Sequence, residues 1–156
     1  MFGKTTLLRD IIRNISNGIE TIRFNGMNVG LVDERGEIAA LYRGTPQNDI
    51  GIRTDVLENV PKSIGIKMLI RTMAPQIVAA DEIGTEKDVE AIKEAVCCGV
   101  KGIFTAHGDS KQELMKNPTL RELVDKQIIE RIIFLKKNRE FYVEEQSERN
   151  DNKVCL

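Results

Sequence analysis

At 156 residues, 41% hydrophobic and 30% charged, the chain suits one globular domain that can bury about two-thirds of its unfolded surface. A formal net charge of −1 argues against the global basic field that draws proteins to nucleic acid or anionic lipid. No apolar run approaches the roughly 20 residues of a membrane helix, and the first ten residues lack the h-region of a signal peptide. The chain is therefore expected in the cytoplasm, reaching a membrane only through partners.

Near its start the chain reads Gly3-Lys4-Thr5-Thr6, whose first three residues form the second half of the phosphate-binding signature G-x-x-x-x-G-K-[ST]. In such a loop, backbone N–H groups and a helix N-terminus cradle phosphate oxygens. The lysine reaches the β- and γ-phosphates and the hydroxyl ligates Mg²⁺. Apolar residues at 8, 11, 12 and 15 predict a helix from Thr5, stopped by Gly18. Asn28 to Asp33 reads as an apolar strand ending in Asp33 and Glu34, with Glu37 close behind; a polar turn is the plain alternative.

Residues 42–55 read as a loop, long enough to be functional. Within it Arg53 is a candidate phosphate-facing or intersubunit cation, or else a surface arginine pairing with Asp49 or Asp55. Pro61 predicts a helix over 62–73, closed by Pro75, with 66, 69, 70 and 73 as its core face and Gly65 weakening it slightly. Arg71, in its last turn, belongs to the site or caps the helix.

Ile77-Val78-Ala79-Ala80 is a short apolar run without polar alternation, the pattern of a strand buried on both faces of a parallel sheet. Asp81 and Glu82 then stand at its carboxyl end, where open α/β sheets bind ligands. An acid there holds Mg²⁺ in nucleotide hydrolases, and a second one can polarise the attacking water. The bland alternative is a solvated acidic turn.

Thr85 to Asp88 has the form of a capping box. It opens a helix with Val89, Ile92 and Val96 on its buried side and Gly99 just past its end. Adjacent Cys97 and Cys98 lack C-x-x-C spacing and read as helix residues, at least one packed as a small hydrophobe. Val100 to Gly108 is a third strand, ending in the sole histidine, His107, which could sense a γ-phosphate. Asp109 is expected to cap a helix to Lys116, and Pro118 to start another to Lys126. A hairpin should pair the end of 128–135 with 141–143 around 137–139. One domain is expected over 1–144, with a disordered tail over 145–156.

The series G-K-T-T, V-D-E-R, G-I-R-T-D-V, M-A-P-Q-I-V-A-A-D-E-I-G and T-A-H-G resembles the stage III sporulation AA family, within the secretion-type ATPases of the RecA-like P-loop superfamily. The likeness spans residue 3 to about 136. It implies an α/β, RecA-like P-loop NTPase core with a mostly parallel sheet flanked by helices. It further implies ATP and Mg²⁺ as ligands, hydrolysis in a homo-oligomeric ring, and membrane channel proteins of the spore-forming machinery as partners. Gly3, Lys4, Thr5 and Thr6 match the phosphate loop, and Asp81 and Glu82 match Walker B. Asp33 and Glu34 match the acidic box and His107 the histidine box, while Arg53 and Arg71 match arginines that act on a neighbour's nucleotide. On this reading Thr5, Asp81 and Asp33 serve the metal, and Glu82, Glu34, His107 and the two arginines serve catalysis. Met1-Phe2 stand where the family has the first half of the loop and an apolar strand, so the resemblance implies an N-terminally truncated ATPase. Two other classes stay open: a nucleotide-free interaction fragment, and a single-strand nucleic-acid module, disfavoured by few aromatics for stacking.

Overall fold

The computed structural model describes residues 3–108, 110–136 and 140–146. Helix α1 covers Lys4–Asn17 and ends on Gly18. A small antiparallel pair follows, β1 (Gly18–Ile19) with β2 (Phe24–Asn25). Then come β3 (Val29–Asp33), a second small pair β4 (Leu41–Tyr42) and β5 (Thr45–Pro46), and β6 (Thr54–Glu58). Helix α2 (Lys62–Thr72) leads to β7 (Ile77–Ala80), α3 (Glu86–Cys97) and β8 (Lys101–Phe104). The chain continues through α4 (Lys111–Leu114), α5 (Pro118–Asp125) and the antiparallel hairpin β9 (Arg131–Leu135) and β10 (Phe141–Glu145).

Four strands form one parallel sheet in the order β6-β3-β7-β8. The two central strands are buried along their whole length, as their unbroken apolar runs require. Side chains alternate across the sheet with period two. Val29, Leu31, Ile77 and Ala79 pack with Leu8 and Ile12 of α1 on one face. Val32, Val78 and Ala80 pack on the other face with Ile66 and Leu69 of α2, Val89 and Ile92 of α3, and Leu120 and Leu123 of α5. Among the described residues, β8 has β7 as its one ladder partner, and its Lys101 and Gly102 are exposed.

Several expectations need adjustment. The 42–55 loop contains the β4–β5 pair and runs into β6, a half-exposed edge strand whose T-D-V-L-E sequence carries too few apolar residues to announce itself. Met73 is exposed rather than core, because α2 stops at Thr72. Cys97 and Cys98 are both exposed, not packed. Ser110, not Asp109, caps α4, its hydroxyl accepting from the Glu113 N–H at 3.3 Å; Asp109 lies outside the described residues. Residues 137–139 and 147–156, the expected turn and most of the expected tail, also lie outside them, while β10 runs to Glu145. The capping box at Thr85 and Asp88 is present in both directions.

Gly65 has a different significance from the one its helix propensity suggests. A Cβ there would lie 2.7 Å from Val32 Cγ1, so the missing side chain is what lets α2 sit directly on β3. Gly65→Ala should therefore destabilise the fold by about 1–3 kcal/mol through overpacking, although alanine is the better helix former. A lowered urea midpoint with unchanged slope is the expected result; a raised midpoint would show that the contact relaxes freely.

Candidate functional site

The carboxyl ends of β3, β7 and β8 bring their terminal residues to one edge of the sheet, and α1 begins there. Gly3 caps α1 with φ at 107°, and Lys4 reaches across to donate from Nζ to the Ala106 carbonyl at 2.8 Å, next to His107. Gly3, Lys4, Thr5 and Thr6 on one side and Glu37, Glu82 and Thr105 on the other line a polar cleft of about 320 Å³. A larger depression of about 530 Å³ includes Met27, Pro75, Gly99 and Lys101; it lies at the amino ends of the strands, and Lys101 is its one charged lining group. Two acids, Glu37 and Glu82, line the smaller one.

Although both follow a strand, Asp33 and Asp81 differ in environment. Asp33 has no exposed surface, and its carboxylate accepts three backbone N–H groups, from Glu37 at 3.0 Å, Ile38 at 3.0 Å and Ala39 at 2.8 Å. Those bonds fold the chain back over the strand end and leave little lone-pair capacity for a metal. Asp33 is thus a strut for the turn, which corrects its expected place as a metal ligand. Asp81 is only 3% exposed, yet no hydrogen-bond donor among the described residues reaches its carboxylate. Burial raises its pKa above the ordinary aspartate value. Lys62 acts the other way, and the charges of Glu82, Asp33 and Glu37 add to the rise.

Glu82 is the most constrained residue of the edge. Its φ of 46° lies in the left-handed region, a conformation that costs a non-glycine residue about 1–3 kcal/mol. Its N–H donates to Thr105 Oγ1 at 2.8 Å, and Ile83 N–H to the Thr105 carbonyl at 2.8 Å, so the strain is held from β8's side. Its carboxylate lies 2.9 Å from the Arg35 guanidinium and 3.3 Å from His107 Nε2.

Glu34, the other acid expected to act in catalysis, is bonded through one carboxylate oxygen to Lys62 at the start of α2. Arg53 and Arg71 lie at the opposite, amino edge of the sheet. Arg53 donates to the Ser16 carbonyl at 3.0 Å. Arg71 pairs with Glu94, whose carboxyl Lys67, foremost, and Arg71 hold below its usual range. Within one chain, then, neither arginine joins the cleft. Sequence reading passed over Arg35, Lys62 and Arg9. Arg9 donates to the Ile38 and Glu37 carbonyls, both at 2.8 Å, tying α1 to the Asp33 turn. The one available signal was a cation directly after D-E in D-E-R.

The resemblance read from the sequence implies Mg²⁺, and the donor set can be tested against it. No group of three or more His, Cys, Asp or Glu side chains able to hold a metal occurs among the described residues. Mg²⁺ commonly takes one or two carboxylates and completes its shell with water and substrate phosphate. A buried Asp81 without donors, and Thr5 lining the cleft, fit that economy; Asp33 does not.

Two measurements follow. Asp33→Ala leaves three backbone N–H groups without their acceptor and should cost at least about 2 kcal/mol in urea unfolding. A loss under half that would show that water takes over. Because the pKa of Asp81 is raised on folding, its ionisation opposes folding, and the associated stability is lost as pH rises through the folded pKa. Asp81→Asn should therefore melt higher than the native chain at pH 7. The gap should close as pH falls below the ordinary aspartate range, where both forms are neutral. An equal or lower melting temperature at pH 7 would contradict the burial effect.

The same arrangement of sheet and helices occurs in the solved structure of the Legionella pneumophila ATPase DotB. The match has a TM-score of 0.61 at 19% identity, over 90% of this chain and 41% of that one. The two share a fold. Among curated proteins, ycf45 of Porphyra purpurea is 32% identical over 125 residues, 78% of this chain and 21% of the relative. Stage III sporulation protein AA of Bacillus subtilis is 44% identical over 133 residues, 85% of this chain. The matched part is 43% of the Bacillus protein, so the chain spans less than half the length of that relative. The description of the family "Sporulation stage III, protein AA" matches residues 1–145, and the chain belongs to that family.

Proposed function

We propose that this chain carries the nucleotide-facing part of an ATP-hydrolysing P-loop ATPase of the secretion type. The observation that carries the reading is a polar cleft lined by Gly3 to Thr6 of the α1 N-terminus and by Glu82, at the sheet edge where Asp81 follows β7 and His107 contacts Glu82. Lys4 and the first N–H groups of α1 offer positive potential to a triphosphate, as helix N-termini do for anions. Glu82 is the candidate general base, oriented to take a proton from water, and His107 is placed to report a terminal phosphate through the same carboxylate. Bound Mg²⁺ would supply charge neutralisation between phosphates, with Asp81 and Thr5 as the groups to hold it. Family membership extends the reading to a homo-oligomeric ring that energises membrane channel proteins during spore formation. Arg53 and Arg71, at the far edge of the sheet, are then available to a neighbouring subunit. No described helix is long and apolar enough to cross a membrane.

The test is binding and turnover measured side by side. Mg-ATP titrated calorimetrically should bind the native chain, and Lys4→Ala should weaken binding at least about tenfold. Glu82→Gln should keep affinity within about twofold while phosphate release falls by at least about 100-fold. Near-normal release from Glu82→Gln would remove Glu82 as the base. No binding at millimolar Mg-ATP would favour the nucleotide-free fragment instead.

A further inference from the structure

The turn that follows β3 is fixed far more firmly than a surface connection needs. Asp33 bonds three of its amides, Arg9 of α1 holds two of its carbonyls, and Glu34 is tied to Lys62. Gly36 takes φ of 67° where a Cβ would meet Glu58 Oε1 at 2.8 Å, and that same oxygen accepts the Leu41 N–H at 3.2 Å. What this framework presents to Glu82 is Arg35. Its side chain is 59% exposed, yet it crosses from the end of β3 to the end of β7 to lie 2.9 Å from Glu82 Oε2. The other oxygen of that carboxylate lies 3.3 Å from His107 Nε2.

We propose that Arg35 is a positioning residue for Glu82, an inference that rests on the ATPase reading above. A glutamate side chain with three rotatable bonds would sample many orientations at a cleft wall. Contacts on both oxygens, with the Arg35 guanidinium 2.9 Å from one and the His107 imidazole 3.3 Å from the other, narrow the orientations open to its carboxylate, while Thr105 fixes the backbone from which it springs. A base misplaced by an ångström loses much of its effect, so holding this carboxylate is a direct contribution to rate. Arg35 acts through Glu82 and makes no contact with nucleotide.

His107 is the only histidine in the chain, so its ring signals are a clean reporter on the same carboxylate. In the nucleotide-free full chain, Arg35→Gln should move the His107 ring resonances and Arg35→Lys should move them less. In a Glu82→Gln background the Arg35→Gln change should leave them in place. In turnover, Arg35→Gln should lower kcat on the order of tenfold with KM for Mg-ATP within about twofold. Ring signals that ignore Arg35→Gln, or that respond equally without Glu82, would overturn the positioning role. So would a raised KM with unchanged kcat, which would make Arg35 a nucleotide contact. A native chain without turnover would remove the ATPase reading itself, and the resonances would then decide the Arg35–Glu82 link alone.

Discussion

A carboxylate with no exposed surface, at the end of a strand buried on both faces, is the constraint on which the rest of this molecule depends. Asp33 cannot be solvated where it lies, and an isolated buried charge would be very costly. Three backbone N–H groups answer it, and in doing so they set the path of residues 37–39. That path gives Arg9 two carbonyls to hold, which fixes α1 against the sheet and so places Lys4 at the edge. It also places Arg35 within reach of Glu82. One buried side chain thus links the helix that offers its N-terminus to the strand that offers its acids.

Asp81 gains its character from the opposite treatment. After Asp33 the chain turns back over the strand end. After Asp81 it passes into β8's side, with Glu82 and Ile83 bonding Thr105, and no amide is left to answer Asp81. Burial of a carboxylate without donors raises its pKa, an effect that Lys62 partly opposes. Stability given up at Asp81 and at the strained Glu82 backbone is the kind of local cost that functional sites carry.

Much of this was legible in the residues. The unbroken apolar runs at 29–32 and 77–80 announced strands covered on both faces, and Thr85 with Asp88 announced a helix start. Period and capping are local signals, and local signals survive without a structure. Two D-E pairs at strand ends suggested one shared acidic site, and the edge is shared. Their division of labour was hidden, since it depends on which amides fold back, and both sequences read alike at that range. Arg35 and Lys62 were invisible for a related reason: their partners Glu82 and Glu34 lie tens of residues away and meet them only after the strands pair. Strand β6 escaped because an edge strand, half exposed, needs no apolar run. Arg53 and Arg71 were singled out by their local positions and by family motif, and the fold sets them at the other edge.

The claim that one sheet edge holds a triphosphate is tested most directly by a crystal structure of the chain with Mg²⁺ and a non-hydrolysable ATP analogue. Phosphate density on the α1 N-terminus, in contact with Lys4 and with the metal against Asp81, is the expected result. Nucleotide bound at the amino ends of the strands, or phosphates that leave Lys4 and Asp81 untouched, would contradict it.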